Sequence, residues 1–405
     1  MIRPVSLFLL LFLLVSKRSS EQDVQPNWYW LIFLLLIFPA ISICIAKVAS
    51  KTKTTQLLAT AAVLLSWGVA VYVFSWAVIV RGMLQEYTLI DAAVILFSPI
   101  FWLCALWWCT SPIVNRVSWV MYRFRLDVLL LFVPVFFLLA VSEVSSNYAV
   151  TKEYIEMIEV AGLVVLLGLA PFLMAKILPA KEMQNYALRS SIIEVGRRAG
   201  VRRSNVLVWN THNRIMNALA IGIIFQPKTI VLTDKLIANV TPKELLAVVT
   251  HEFGHHKYWH IPFLILTAVS TMIWSMRIFW YLGLDESSAF VFVAELAVIV
   301  LAITLVSRQF ERQADAYAAI DMSKVEQSDC ITSDAAGAMK QALGAIAESQ
   351  NIALDRNDPL HGSILERQMH LDALIGCKLN EIPINTKVKW VKISIFVSLL
   401  LGIVL

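Results

Sequence analysis

Residues 241–255 read Thr-Pro-Lys-Glu-Leu-Leu-Ala-Val-Val-Thr-His-Glu-Phe-Gly-His, and this stretch decides the fold of the polar part of the chain. Thr241 is a favoured N-cap residue, Pro242 suits the first helical position, and Glu244 completes a capping box with Thr241. The sequence therefore predicts a helix that begins about three turns before His251. On this helix His251 and His255 are four residues apart, so both project from one face.

The spacing His-Glu-x-x-His predicts a metal site, because two imidazoles one helical turn apart can share one tetrahedral zinc ion. Glu252 lies beside the position that such an ion leaves open, where its carboxylate can take a proton from water. The alternative is a chance match on a surface helix, since the five-residue pattern also arises by accident. The capped helix and the small Gly254 favour the metal site.

Two further histidines, His256 and His260, follow on the same segment. A third histidine ligand ten residues after the first would fall at Ile261, and the glycine that accompanies it would fall at Tyr258, so that arrangement is excluded. We therefore expect His256 and His260 to be solvated or interfacial polar residues near the start of the next apolar run.

A third metal ligand must come from elsewhere in the chain, and residues 308–317, Arg-Gln-Phe-Glu-Arg-Gln-Ala-Asp-Ala-Tyr, supply two candidates. Glu311 and Asp315 are four residues apart, so both carboxylates face one way on a helix. One could bind the metal while the other accepts the spare N–H of a histidine ligand. The alternative is an ordinary charged helix face with Arg308 and Arg312 as partners.

The composition indicates a polytopic membrane protein. Of the 405 residues, 59% are hydrophobic and 16% are charged, whereas soluble domains carry about a quarter charged residues. The net charge of +5 does not indicate a nucleic-acid partner, because the Lys and Arg residues gather in short loops beside apolar runs. The five cysteines show no paired spacing, so neither a disulfide framework nor a cysteine metal site is expected.

Apolar runs long enough to cross a bilayer divide the chain into segments. The predicted segments are a signal-like or short hydrophobic stretch at 1–27, transmembrane helices at 28–178, a first polar segment at 179–260, a transmembrane hairpin at 261–307, a second polar segment at 308–388, and a C-terminal transmembrane anchor at 389–405. The excess of Lys and Arg places both polar segments on the cytoplasmic side. Together these segments form the predicted catalytic domain.

Four motifs carry a resemblance to a known family, and it spans roughly residues 180–375. They are Asn217-Ala-Leu-Ala220, His251-Glu-Phe-Gly-His255, Glu311-Arg-Gln-Ala-Asp315 and His361-Gly-Ser-Ile-Leu-Glu-Arg367. In this order they resemble the HtpX / CAAX prenyl endopeptidase family of integral-membrane gluzincins. The resemblance implies a polytopic α-helical membrane protein with a zincin-like α+β catalytic domain at the membrane face.

The resemblance also implies a role for each matching residue. The implied roles are one zinc ion per chain held by His251, His255 and Glu311, a general base and later proton donor at Glu252, an oxyanion donor at His361, an orienting carboxylate at Asp315, a supporting cation at Arg367 and substrate binding beside an edge strand at Asn217. Family members often carry proline after the histidine that corresponds to His361, and this chain has Gly362. That departure would loosen the loop that positions the oxyanion donor.

We expect a membrane-integrated zinc metalloendopeptidase that hydrolyses peptide bonds with zinc-activated water in membrane-protein quality control. Its predicted partners are a membrane-associated polypeptide substrate and the lipid bilayer, and the sequence predicts no oligomeric state. The alternative function is CAAX-type processing of lipidated or short peptides. A non-proteolytic scaffold or transporter is a third hypothesis, which predicts charged residues inside the spans, and Asp91, Arg277 and Glu295 are the few candidates.

Overall fold

The computed structural model contains two compact units, which comprise residues 2–166 and 167–405. The structure describes residues 26–48, 53–84, 88–110, 116–148, 152–222, 228–284 and 289–404. The predicted signal-like stretch therefore lies almost wholly outside the described residues.

The first unit is built from apolar helices. Its elements are α1 (Trp28–Val48, with a π-helical turn at Phe33–Ile37), α2 (Lys53–Tyr72), α3 (Trp76–Leu84), α4 (Thr88–Thr110), α5 (Arg116–Phe124), a π-helical stretch (Arg125–Leu129) and α6 (Leu130–Tyr148). Its core includes Trp67, which is buried and donates its indole N–H to Ile95 O at 3.0 Å. Within the predicted segment 28–178, the apolar run 57–80 is long enough for a single span, but it is broken near Ser75, and α3 is turned by 61° from α2.

Several helices are long and apolar enough to cross a membrane. Among the described residues there are four, namely Trp28–Val48, Leu89–Thr110, His260–Tyr281 and Val293–Val325, or up to six if each bent helix pair counts as one span. Over their described residues, the helix that contains the end of the predicted segment 28–178 and the helix that contains the predicted anchor 389–405 do not meet this criterion. The expectation of a polytopic helical membrane protein is confirmed.

The second unit carries a four-stranded sheet with the order β1-β2-β4-β3. Its strands are β1 (Lys181–Glu182), β2 (Ser204–Trp209), β3 (Ala218–Ile221) and β4 (Lys228–Thr233). The β2 and β4 strands pair in parallel, and β3 pairs with β4 in antiparallel register, with Leu219 opposite Val231. All six residues of β4 are buried, as expected for a β-branched central strand, and β3 lies at the edge of the sheet.

The remaining helices surround this sheet or leave it for the membrane. They are α7 (Lys152–Ile177, which contains the boundary between the units), α8 (Tyr186–Arg198), α9 (Asp234–Asn239), α10 (Pro242–Lys257), α11 (His260–Tyr281), α12 (Ala289–Val325), α13 (Ser333–Ser349), α14 (Ile364–Leu374) and α15 (Pro383–Val404). The 37-residue α12 runs straight through the predicted boundary at 307–308. Helix α15 likewise runs through the predicted boundary at 388–389, because the last residues of the second polar segment form its first turns.

Helices α10 and α12 approach each other closely because small residues meet at their crossing. A Cβ atom added to Gly254 would lie 3.3 Å from the Ala314 Cα atom and 3.1 Å from the Tyr317 ring. Alanines 314, 316, 318 and 319 of α12 are all fully buried. This close crossing sets the distance between the side chains that the two helices project toward each other.

Candidate active site

Helix α10 begins at the capping box that the sequence predicts. Thr241 Oγ1 accepts from Glu244 N at 3.3 Å, and the Glu244 carboxylate accepts from Thr241 N at 2.8 Å. These bonds satisfy N–H groups that a helix start otherwise leaves unpaired. His251 and His255 therefore lie on the last turns of a well-formed helix that ends at Lys257.

Three donor atoms meet where α10 faces α12. His251 Nε2 and His255 Nε2 are 3.2 Å apart. Glu311 Oε2 lies 3.6 Å from His251 Nε2, and Glu311 Oε1 lies 3.4 Å from His255 Nε2. The three side chains can hold one metal ion, and two imidazoles with one carboxylate are a donor set of catalytic zinc sites that keep a fourth position open.

The pKa values of the two histidines shift in opposite directions. Desolvation lowers the pKa of His255 to about 4, so its ring is neutral near pH 7 and can offer a lone pair. Burial also lowers the pKa of His251, but the hydrogen bond to Asp315 and the charges of Asp315 and Glu311 outweigh burial and raise it. His251 Nδ1 lies 2.9 Å from Asp315 Oδ1. This contact leaves Nε2 as the ring atom available to a metal.

Arg367 on α14 contacts both Glu311 and Asp315, the two carboxylates of α12 at the site. It donates from Nε and Nη2 to the two oxygens of Asp315 at 2.8 and 2.7 Å. Its Nη1 lies 3.2 Å from Glu311 Oε2. Burial lowers the pKa of Arg367, but both carboxylates outweigh burial and hold it above its usual value. The buried cation therefore balances two buried carboxylates, one of which is a metal-ligand candidate.

Glu252 reaches across to the edge strand. Its Oε2 accepts from Ala220 N at 3.1 Å, which ties the carboxylate to β3. Desolvation raises the pKa of Glu252 to about 7, and the His251 charge and the Ala220 N–H act in the opposite direction. A carboxylate with a pKa near neutrality suits proton transfer near pH 7.

The loop that carries His361 is closed on itself. Asp358 and Gly362 exchange two backbone hydrogen bonds of 3.2 and 2.9 Å. Gly362 has a φ of +75°, a conformation that glycine adopts without strain. His361 is exposed, and its Nδ1 pairs with Asp358 Oδ1 at 3.0 Å rather than with any of the three donor atoms.

Arg308 fastens this loop to α12. It donates from Nε to Pro359 O at 3.2 Å and from Nη2 to Asn357 Oδ1 at 2.9 Å. The arginine, which the sequence analysis considered only as a partner on a charged helix face, therefore holds the segment before His361.

Asn217 is an exposed residue directly before the edge strand. Its backbone N–H donates to Thr233 Oγ1 at 2.9 Å, and its carbonyl accepts from Thr233 N at 3.1 Å. These bonds start the register of β3 on β4. The structure places Asn217 directly before the strand that carries Ala220, the partner of Glu252.

His260 differs from its sequence-based expectation. It is fully buried rather than solvated, and its Nδ1 lies 3.0 Å from His255 Nδ1. His256 is half-buried, and desolvation lowers its pKa to about 3. The position of His260 in the first turn of an apolar helix suggested an interfacial residue, but its contact with His255 makes it part of the site.

Comparisons with known proteins also indicate a peptidase. Residues 182–332 match the family model of Peptidase family M48, a range that includes the sheet, α10, Glu311 and Asp315. Among solved structures, Ste24p of S. mikatae is similar, with a TM-score of 0.55 and 16% identity over 87% of this chain and 100% of that chain. At that identity the likeness shows the fold. No curated protein sequence matches. The chain is therefore an integral-membrane metalloendopeptidase, and its residues 182–332 are similar to peptidase family M48.

Proposed function

We propose that this protein is a zinc-dependent endopeptidase that cleaves membrane-associated polypeptides in membrane-protein quality control. The observation that carries the proposal is the convergence of His251 Nε2, His255 Nε2 and the Glu311 carboxylate, with Glu252 on the same helix turn: the two Nε2 atoms are 3.2 Å apart, and one Glu311 oxygen lies 3.6 Å from His251 Nε2 while the other lies 3.4 Å from His255 Nε2. These three residues would hold one zinc ion per chain. Bound there, zinc supplies a Lewis acid that polarises the scissile carbonyl and makes water more acidic.

The other groups have distinct tasks in this proposal. Glu252 takes a proton from the attacking water as the water oxygen bonds to the carbonyl carbon, and later delivers it to the leaving amine as the C–N bond breaks. His361 donates a hydrogen bond to the oxygen that becomes negative. The Asp358 carboxylate accepts from His361 Nδ1–H, which orients the ring, and donation from Nε2 to that oxygen requires the imidazolium form, in which both ring nitrogens carry a proton.

The edge strand supports a substrate bound as an added strand. In β3 the pair Asn217–Thr233 is hydrogen-bonded, so by alternation the backbone groups of Ala218 and Ala220 point away from β4. An extended substrate can pair with such an edge through its backbone alone. Recognition through the backbone depends little on sequence, which favours the broad specificity that quality control requires.

The cytoplasmic placement of the catalytic domain rests on charge. Lys and Arg residues are concentrated in 179–203, beside the end of α7, and Lys387, Lys389 and Lys392 lie on the first turns of α15. In the sequence, Asp285 and Glu286 fall between the two predicted spans of the hairpin 261–307. Positive charge on the side of the catalytic domain is typical of a cytoplasmic face.

Zinc content and proteolysis of matched variants test the proposal. We expect Glu252→Gln to retain one zinc per chain, measured by mass spectrometry, and to lose cleavage of an unfolded membrane substrate. His255→Ala is expected to lose both. Cleavage at the parent rate by purified Glu252→Gln would show that the proposed mechanism is wrong.

A prenylated C-terminal peptide separates the two candidate biological roles. Efficient cutting at a single bond of that peptide, with misfolded membrane proteins left intact, would support lipidated-peptide processing instead. Cutting of misfolded membrane proteins at several bonds, with the prenylated peptide a poor substrate, is the result expected for quality control.

A further inference from the structure

A chain of side-chain hydrogen bonds leads from His255 away from the catalytic cleft. His255 Nδ1 and His260 Nδ1 are 3.0 Å apart, and His260 Nε2 lies 2.9 Å from Gln313 Oε1. Gln313 Nε2 in turn donates to Asn385 Oδ1 at 2.8 Å. The chain therefore connects α10, α11, α12 and α15 through four side chains.

The hydrogen bonds of this chain have one direction that suits a metal ligand. Gln313 donates its amide N–H to Asn385, so its Oε1 accepts from His260 Nε2–H. A neutral His260 that carries its proton on Nε2 accepts at Nδ1, and the proton of this bond must then belong to His255 Nδ1. His255 is left with a lone pair on Nε2, the atom that faces His251 and Glu311.

The opposite direction would disable the ligand. If Gln313 donated to His260, the His260 proton would lie on Nδ1 and His255 would accept there. His255 would then carry its proton on Nε2, where no metal could bind. The partner of the non-ligating nitrogen therefore decides which tautomer of His255 is present.

The middle of the chain has no access to water that could replace these bonds. His260 is fully buried and Gln313 is 3% exposed. The His260 ring stacks on Phe310, with centroids 4.4 Å apart and planes 6° from parallel. Since a buried polar group without a partner is not compensated for its lost hydration, each member depends on its neighbours in the chain.

The last member of the chain, Asn385, belongs to α15, and another residue of α15 contacts the end of α10 directly. Asn385 is in the first turn of α15, and Lys392 Nζ on that helix bonds to Tyr258 O, the carbonyl directly after α10. A cation at the carbonyl end of a helix is favourable. Helix α15 is therefore linked to the turn between α10 and α11 directly through Lys392, and to His260 through Asn385 and Gln313.

We propose that His260, Gln313 and Asn385 are positioning residues that fix His255 as the Nδ1–H tautomer, and that α15 is thereby part of the metal site. The inference rests on the proposed function, because it requires a metal at His255 Nε2. Helix α15 lies beyond residues 182–332, which match the peptidase family model, so the proposed site extends past the matched range. Removing such a partner typically lowers metal affinity or activity about 10–100-fold.

The rate of zinc loss to excess EDTA from the purified full-length chain tests this proposal. His260→Phe keeps a ring on Phe310 but removes the acceptor, and Gln313→Leu removes the next acceptor at similar volume. Both are expected to lose zinc at least about 10-fold faster than the parent, and Asn385→Leu by a smaller factor. Gln313→Glu keeps an acceptor for His260 and is expected to retain zinc at nearly the parent rate.

A hydrogen bond between α11 and α15 that lies outside this chain of side chains provides a matched control. Ser270 Oγ and Ser398 Oγ are 2.9 Å apart on those helices, outside the chain. Ser398→Ala should not change zinc loss. Equal acceleration by Ser398→Ala and Asn385→Leu would show that only helix docking matters and would overturn the proposal.

The outcomes separate this inference from the proposed function. A parent protein that binds no zinc would refute both. A parent that holds zinc, with His260→Phe and Asn385→Leu losing it at the parent rate, would refute the inference alone. If Gln313→Leu does not fold, the comparison of Asn385→Leu with Ser398→Ala decides.

Discussion

Replacement of Gly254 by alanine tests whether the close crossing of α10 and α12 sets the metal geometry. The new Cβ atom would lie 3.1 Å from the Tyr317 ring and 3.3 Å from the Ala314 Cα atom. Carbon atoms pack best at roughly 3.5–4.0 Å, so the helices must separate by a few tenths of an ångström. One of the two close contacts is with the Ala314 backbone, which cannot rotate away as a side chain can, so the overlap has little other relief.

Two opposing terms set the expected size of the effect. Alanine gains up to about 1 kcal/mol over glycine inside a helix, whereas overpacking typically destabilises by about 1–3 kcal/mol. The metal-free fold should therefore lose at most about 3 kcal/mol, or about 2 kcal/mol if alanine realises its full helix gain. Zinc sites tolerate ligand displacements of only about 0.2 Å. Because Gly254 is adjacent to His255, and Ala314 is one turn from Glu311, we expect zinc affinity to fall about 10-fold, or about 1.4 kcal/mol.

The assay is zinc competition against a chromophoric chelator, paired with thermal unfolding of the metal-free protein in detergent. Gly337→Ala is the matched control, because no atom lies within 4 Å of its added Cβ on the helix α13. That variant should be slightly more stable and bind zinc normally. Zinc affinity of Gly254→Ala equal to that of the parent would refute the reasoning that the crossing positions the ligands.

Further variants test the loop that carries His361 and the helices α11 and α12. His361→Phe should retain zinc and lower kcat about 100-fold, the usual effect of removing an oxyanion donor; unchanged kcat would exclude that role. Arg308→Leu should lower kcat severalfold at unchanged zinc content, because it frees Pro359 O and the loop before His361; an unchanged kcat would show that the loop positions itself. Glu295→Leu should change unfolding in detergent by less than about 1 kcal/mol, since its described contact is a single 3.5 Å bond from Ser275; loss of folding or activity would indicate a larger role.

Local sequence rules were sufficient for α10, because its start and its histidine spacing depend on neighbours along the chain. The capping box of Thr241 and Glu244 forms as predicted. The boundary at 307–308 was placed by composition alone, from the change to charged residues at Arg308. Helix α12 continues there because 308–325 contain no proline, glycine or capping sequence that would end it.

Contacts between distant residues explain what the sequence could not predict. His260 is followed by an apolar run, which is the usual setting of an interfacial residue. Its buried position depends on Gln313, 53 residues away, and on the ring of Phe310. The role of Arg308 likewise depends on a loop 50 residues further on. No periodicity or motif within one segment contains that information.

The depth of the site in the membrane follows from two continuous helices. Helix α11 has 22 residues, which is about 33 Å of helix and matches a hydrocarbon core of roughly 30 Å. Exposed Trp280 and Tyr281 end it, as expected of aromatic side chains at an interface. Its first residue, His260, therefore lies at the opposite boundary, and it touches His255 directly. Glu311 follows the last apolar turn of α12 by four residues, or about 6 Å. Because Glu311 lies on α12 itself and His255 is separated from α11 only by the turn at Tyr258 and Trp259, the proposed metal site would lie within about one helical turn of the lipid surface, where a membrane-anchored polypeptide would be available as substrate.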